Sequence, residues 1–326
     1  MNKMTITSIA LATVLTLAAC NSQHSSTTSQ TQDSGQTASR HVEFVADSAF
    51  AFLKAQCDMG PRVPGTAAHS ACVAFITDKL TQWADTVVTQ SAPVTTFDGQ
   101  TLTAHNIMGR INPQATTRIL LLAHYDCRPW ADKDEDPAKQ RQPVMGANDA
   151  ASGVAVILEL ARIMSNNKPD IGIDMLMVDA EDWGDYDNED SWALGTQLWA
   201  RNHKQLLGQD YAPTFGILLD MVGARGARFA PEYFSTQYAA GIVQLVWDTA
   251  SEAGYGAFFT QDGGGAVTDD HVVINTIAAV PCIDIIDMRG DGFFDGWHTT
   301  HDTIDAIDPA TLKAVGQTLS QLIYNY

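Results

Sequence analysis

From about residue 41 the chain alternates between two kinds of hydrophobic pattern. Four nearly continuous apolar runs, "RILLLAHYD" (118–126), "IGIDMLMVDAED" (171–182), "TFGILLDMVG" (214–223) and "VPCIDIIDM" (280–288), predict strands covered on both faces. "TLTAHNIMGRI" (101–111) alternates apolar and polar positions and predicts a half-buried strand. Between these lie stretches of helical period: 41–60, stopped by Gly60-Pro61, then 70–84, 150–166, 239–254 and 309–326, the last with Pro309 near its first turn. Buried strands alternating with helices predict a three-layer α/β/α sandwich with a mixed, largely parallel central sheet. Ligands in such folds collect at the carboxyl ends of the strands.

The N-terminus changes the picture. "MNKMTITSIALATVLTLAAC" has a short basic start, an apolar stretch and small residues before Cys20, the form of a secretory signal peptide. "LAAC" resembles a bacterial lipobox, which makes Cys20 the expected lipidation site. Residues 21–39 contain no large apolar side chain and cannot bury a core. The expected organisation is a lipoprotein signal peptide at 1–19, a flexible tether at 20–40 and one catalytic domain at 41–326. The domain would face the periplasm from a bacterial envelope membrane, held there through the lipid anchor only.

The net charge of −19 excludes nucleic acid as a partner, since a polyanion needs Lys and Arg to neutralise it. Two acid blocks, "DKDEDP" (132–137) and "DYDNED" (185–190), lack EF-hand spacing and read as solvated loops. Cys57, Cys72, Cys127 and Cys282 could pair in three ways or stay as free thiols, and their spacing matches no zinc finger.

The other acids are placed differently. His124 and Asp126 end one apolar run, Glu181 and Asp182 the next, and Asp220 a third. Asp149 precedes a helix, and His298 follows the last strand. Adjacent carboxylates raise one another's pKa unless something cationic compensates. Only 19 Lys and Arg are available, and Arg128 alone sits beside these strand ends. Carboxylates and imidazoles converging on one sheet edge form a ligand set suited to zinc.

Several segments then resemble a known family. "AHYD" (123–126), "GANDAASGVAVILELAR" (146–162), "DAEDWG" (179–184), "LLDMVG" (218–223), "TDDH" (268–271) and "GWHTTHDT" (296–303) are similar to the M28-type zinc exopeptidases, and most of all to their glutaminyl cyclase branch. The resemblance spans roughly residues 41–326, with the motifs in family order. It implies a glutaminyl-peptide cyclotransferase, an acyltransferase that turns the N-terminal glutamine of a peptide or protein into pyroglutamate and releases ammonia. One zinc per chain is implied, with Asp149, Asp182 and His298 as ligands. Glu181 is implied as the proton carrier, with Asp220 and Asp269 as carboxylates of its proton network. Trp297 and Phe293 match the aromatic pocket wall, and Trp192 is a further candidate for it.

Two departures from the animal enzymes stand out. Asp182 occupies a ligand position where they use glutamate, and Ala150 follows Asp149 where they have serine. The alternative on the same fold is a di-zinc aminopeptidase, in which His124 and Asp220 complete a second metal site around a shared Asp149. Both residues are present. Asp269 in "TDDH", Trp297 directly before His298 and the long insert after His124 favour the cyclase.

Overall fold

The apolar runs become the centre of a six-stranded sheet in the structure, a computed structural model that describes residues 40–290 and 292–326. The expected signal peptide, Cys20 and the tether up to residue 39 lie outside the described residues. Strands β1 (Thr86–Thr95), β2 (Thr101–Ile111), β3 (Arg118–His124), β4 (Gly172–Val178), β5 (Phe215–Asp220) and β6 (Cys282–Ile286) are ordered β1-β2-β4-β3-β5-β6. Neighbours in the β4-β3-β5-β6 block are parallel, whereas β1 and β2 add to it antiparallel. Every residue of β3, β4, β5 and β6 is buried, which explains why these segments read as unbroken apolar runs.

Helices cover both faces, unequally. Helices α1 (Ala46–Cys57), α2 (Ala67–Trp83), α3 (Ala151–Asn166), α5 (Tyr233–Glu252) and α7 (Pro309–Asn325) share one core with Ile119 and Leu121 of β3 and Ile217 and Leu219 of β5. On the opposite face α4 (Leu194–Leu207) lays Trp199 and Ala200 over Leu120, Leu122, Leu176 and Leu218. Each fully buried Leu contributes roughly 1.5–3 kcal/mol. A single helical turn, α6 (Asp270–Val273), runs into a π-turn at Ile274–Ala278 that closes this second face. Among the described residues no helix is long and apolar enough to cross a membrane.

Two elements escape the hydrophobic pattern. Strand β1, "TVVTQSAPVT", is an edge strand with no fully buried residue, and its edge position tolerates Pro93. Helix α4 buries Gly195, Thr196 and His203 beside Trp199 and Ala200, so its inner stripe is only partly apolar.

Side-chain alternation also sets up the site. Along β3, Ile119, Leu121 and Ala123 face the five-helix layer, whereas Leu120 and Leu122 face α4. His124, two residues on, shares the α4 side. Leu122 pairs with Leu218, so continuing that register sets His124 opposite Asp220. Asp284 of β6 pairs with Leu218, one pleat behind Asp220.

Candidate metal centre and active-site cavity

His124 lies among four carboxylates. Its Nε2 is 2.9 Å from Asp149 Oδ1 and 3.4 Å from Asp220 Oδ1; its Nδ1 is 3.4 Å from Asp126 Oδ1 and 4.0 Å from Glu181 Oε2. Burial disfavours the imidazolium, but these acids outweigh it and hold the His124 pKa well above the usual histidine range. His298 is arranged in the same way. Its Nε2 is 3.1 Å from Asp182 Oδ1 and 3.5 Å from Asp149 Oδ2.

Two buried carboxylates hold the loops that deliver these groups. Asp302 accepts the backbone N–H of Asn148 at 2.7 Å with one oxygen and that of Asp149 at 3.0 Å with the other. Asp126 accepts the N–H groups of Glu181 (3.1 Å) and Asp182 (3.2 Å) in the same fashion. Each carboxylate thus fixes two successive peptides and aims the side chain between or beside them. The Asn148 side chain ties the Asp149 loop to the turn after β5 by accepting from Gly223 N at 2.8 Å. Ala180, Met221 and His298 all adopt left-handed backbone conformations at the turns involved. Such positions cost a non-glycine residue about 1–3 kcal/mol each and cluster at functional sites.

The donor set fits a metal ion. Asp149, Asp182 and His298 bring ligand atoms within 4.8 Å of one another, as do His124, Asp149 and Asp220, so Asp149 is common to both groups. In the first group Asp182 Oδ2 is buried without a hydrogen-bond partner. Two carboxylates and an imidazole leave a fourth position open, the form of a catalytic zinc site. Burial pushes the Asp182 pKa up against the opposing pull of His298, whereas hydrogen bonds from both histidines overcome burial at Asp149 and lower its pKa.

All three residues of the first group line a cavity of about 250 Å³. Glu181, Asp220 and Asp269 line it as well. Glu181 is 8% exposed, and its carboxylate takes no hydrogen bond from a described residue. Burial raises its pKa well above the carboxylate range, with Asp269 and Asp182 adding to the effect and His124 opposing it. Burial and the Asp149 charge bring Asp220 to about 7, and burial raises Asp269. A third group of potential ligands, Asp269, His271 and Asp284, is buried toward β6; His271 and Asp284 were not among the residues marked by sequence.

Aromatic rings form much of the cavity wall. Trp297 stacks on His298 with centroids 3.9 Å apart, Phe293 packs on Trp297 at 4.6 Å, and Trp192 lies parallel to His298 at 6.2 Å. The three aromatic residues marked by sequence are therefore brought together, joined by Tyr186.

The "DYDNED" block is a solvated loop as expected, exposed from Tyr186 to Asp190, whereas "DKDEDP" is only partly solvated. Arg128 grips Asp132 with two hydrogen bonds of 2.7 and 3.0 Å, and buried Asp134 accepts from Thr300 N at 3.0 Å. Arg128 Nη1 also lies 3.4 Å from Asp182 Oδ1 and donates to the carbonyls of Asp182 and Gly184. The sequence flagged Arg128 as the lone nearby cation but gave no role to Asp132, Tyr186 or Asp302. Asp302 stands within the quoted "GWHTTHDT", the one signal that could have drawn attention to it. Cys57, Cys72, Cys127 and Cys282 are all free thiols.

Comparison with known proteins identifies the family and the fold. The model of peptidase family M28 matches residues 106–323. A glutaminyl cyclase structure from Bacteroides thetaiotaomicron bound to N-acetylhistamine superposes with a TM-score of 0.85 at 44% identity, covering 88% of this chain and 100% of that one. The Tannerella forsythia glutaminyl cyclase gives a TM-score of 0.84 at 45% identity, covering 87% and 100%. The bovine glutaminyl-peptide cyclotransferase is 26% identical over 254 residues, 68% of this chain and 66% of that protein.

Proposed function

The chain belongs to peptidase family M28, and from that premise we propose that it is a glutaminyl-peptide cyclotransferase acting on peptides or proteins with N-terminal glutamine. The observation that carries this reading is Glu181, a buried carboxylate without a hydrogen-bond partner among the described residues, which lines the same cavity as Asp149, Asp182 and His298. The relatives' names support it. Asp149, Asp182 and His298 would hold one zinc per chain. When bound there, zinc supplies Lewis-acid polarisation of the γ-carboxamide carbonyl.

The chain's own residues do the rest. The aromatic walls enclose the glutamine side chain and exclude water, which would otherwise hydrolyse the amide. Glu181 takes a proton from the α-amine as that nitrogen forms its bond to the side-chain amide carbon, Cδ. It then gives a proton to the departing amide nitrogen as the old C–N bond breaks, so ammonia leaves and Glu181 is restored. Nucleophile and electrophile belong to one residue, so alignment replaces a bimolecular encounter. Asp220 and Asp269, both with raised pKa values, share the protons of this acid cluster.

His124 and Asp220 keep the aminopeptidase as the second reading, because with Asp149 they form a second potential ligand group. The four carboxylates around His124 favour a charged imidazolium there, which would offset one of their charges without a second ion. The deciding assay offers the protein a Gln-initiated peptide and a Leu-initiated chromogenic amide. Lactam and ammonia from the first with no cleavage of the second is expected; the reverse result sinks the cyclase. We further propose anchorage by lipidated Cys20 facing the periplasm. Cys20→Ser should release the protein or leave uncleaved precursor, and unchanged processing and membrane association would refute the anchor.

A further inference from the structure

The catalytic reading uses only the ring of Tyr186, as part of the cavity wall, yet its hydroxyl lies 2.6 Å from His298 Nδ1. His298 Nε2 points at Asp149 and Asp182. If Nε2 is to offer a lone pair to a cation, Nδ1 must carry the ring proton, and it then donates to Tyr186 Oη. The Asp132 carboxylate is 3.9 Å from the same Nδ1, too far for a direct hydrogen bond. Tyr186 Oη and Asp132 thus approach the same nitrogen, and a hydroxyl that accepts from Nδ1 keeps its own proton free to donate toward that carboxylate. Asp132 in turn is held by both sides of the Arg128 guanidinium, and Arg128 reaches Asp182. Polar contacts thus join His298 to Tyr186 on one side and Asp132 through Arg128 to Asp182 on the other, so that a Tyr186–Asp132 hydrogen bond would complete a path from one ligand to the other.

The Tyr186 ring is fixed for this task although it is 43% exposed. Lys133 Nζ sits 4.0 Å from its centroid and the Arg128 guanidinium carbon 5.0 Å, while Trp192 packs on it at 5.3 Å. These cation–π and ring contacts hold the ring independently of its hydroxyl.

We propose that Tyr186 and Asp132 form a tyrosine-mediated relay that fixes the tautomer and orientation of His298, with Arg128 coupling the relay to Asp182. Tyr186 is a positioning residue, not a catalytic one. Metal-binding histidines ordinarily give their second N–H to a carboxylate, carbonyl or water; here the tyrosine hydroxyl bridges the gap to Asp132. The inference rests on the metal centre proposed above, and its test reads metal affinity instead of turnover.

Tyr186→Phe keeps the ring and deletes the relay. Zinc affinity, measured by chelator competition on the purified chain, should fall roughly 10–100-fold. The melting temperature of the metal-free variant should stay at the wild-type value, and the visible absorption of the cobalt-loaded protein should shift. Asp132→Asn should give a similar loss, and the double variant little more than either single one, since both break one chain of contacts. Zinc affinity within twofold of wild type in Tyr186→Phe overturns the relay, as do fully additive losses in the double variant. A wild-type chain that binds no zinc overturns the relay and the metal centre together, whereas zinc binding without cyclase activity leaves the relay standing and removes only the cyclase.

Discussion

Asp182 and His298 meet across the end of the sheet, Oδ1 to Nε2 at 3.1 Å, from loops that follow different strands. Asp182 ends the apolar run of β4, and His298 lies in the turn after β6. The backbone around Asp182 is pinned by Asp126, and that around the shared neighbour Asp149 by Asp302.

Asp302→Ala removes the acceptor for two buried N–H groups. An unsatisfied buried donor costs about 1–3 kcal/mol, so the variant should lose roughly 2–5 kcal/mol in urea unfolding. Zinc affinity should fall as well, because Asp149 loses its support. Unchanged stability and zinc binding would show that the pair of hydrogen bonds does not position the ligand.

Gly184 allows Trp192 to lie against the backbone. A Cβ at residue 184 would be 2.0 Å from Trp192 Cδ2 and 2.3 Å from Cε2, closer than real contacts allow. Gly184→Ala should therefore displace the indole from the cavity wall. The expected result is a KM raised about tenfold or more with zinc affinity changed far less, as an enclosing contact is worth roughly 1–3 kcal/mol. An unaltered KM would remove Trp192 from the substrate pocket.

Behind the site, buried His69 lies 2.9 and 3.0 Å from the two Asp179 oxygens, at the root of the Glu181 turn. Burial lowers its pKa, but Asp179 outweighs that and raises it above 6.5. A histidine with a raised folded pKa stabilises the fold fully below its unfolded pKa and loses that contribution as pH rises through the folded value. The stability gap between wild type and His69→Gln should thus be larger at about pH 6 than at about pH 9 in urea unfolding. A gap that widens with pH would mean that the pair is held with His69 neutral.

Much of the architecture was readable before any coordinates, because β3 to β6 are covered on both faces and need apolar residues at every position. β1 has no such need at the sheet edge, and α4 buries Gly195, Thr196 and His203 on its inner face, which leaves no simple apolar period. The acids at the ends of the apolar runs were visible for a related reason: a charge that terminates a buried strand must be compensated. Asp126 and Asp302 act on backbone N–H groups, Arg128 on carbonyls and on Asp132, and Tyr186 on an imidazole that follows it by more than a hundred positions in the chain. These partnerships arise from tertiary placement, and their residue types alone carry no mark of them. The "DKDEDP" block shows this well, since an acid-rich stretch resembles a solvated loop whether or not a buried arginine waits beneath.

The division of labour between Glu181 and Asp182 is the centre of the account, and one variant tests it. Glu181→Gln keeps the size of the side chain and removes its ability to carry a proton. Zinc content and ammonia release from a Gln-initiated peptide should be measured on the same preparation. The expected result is wild-type zinc content with turnover reduced roughly 10²–10⁴-fold, the usual worth of a positioned acid–base group. Loss of zinc would mean that Glu181 is a ligand and the two roles are exchanged, and undiminished turnover would mean that the proton travels another way.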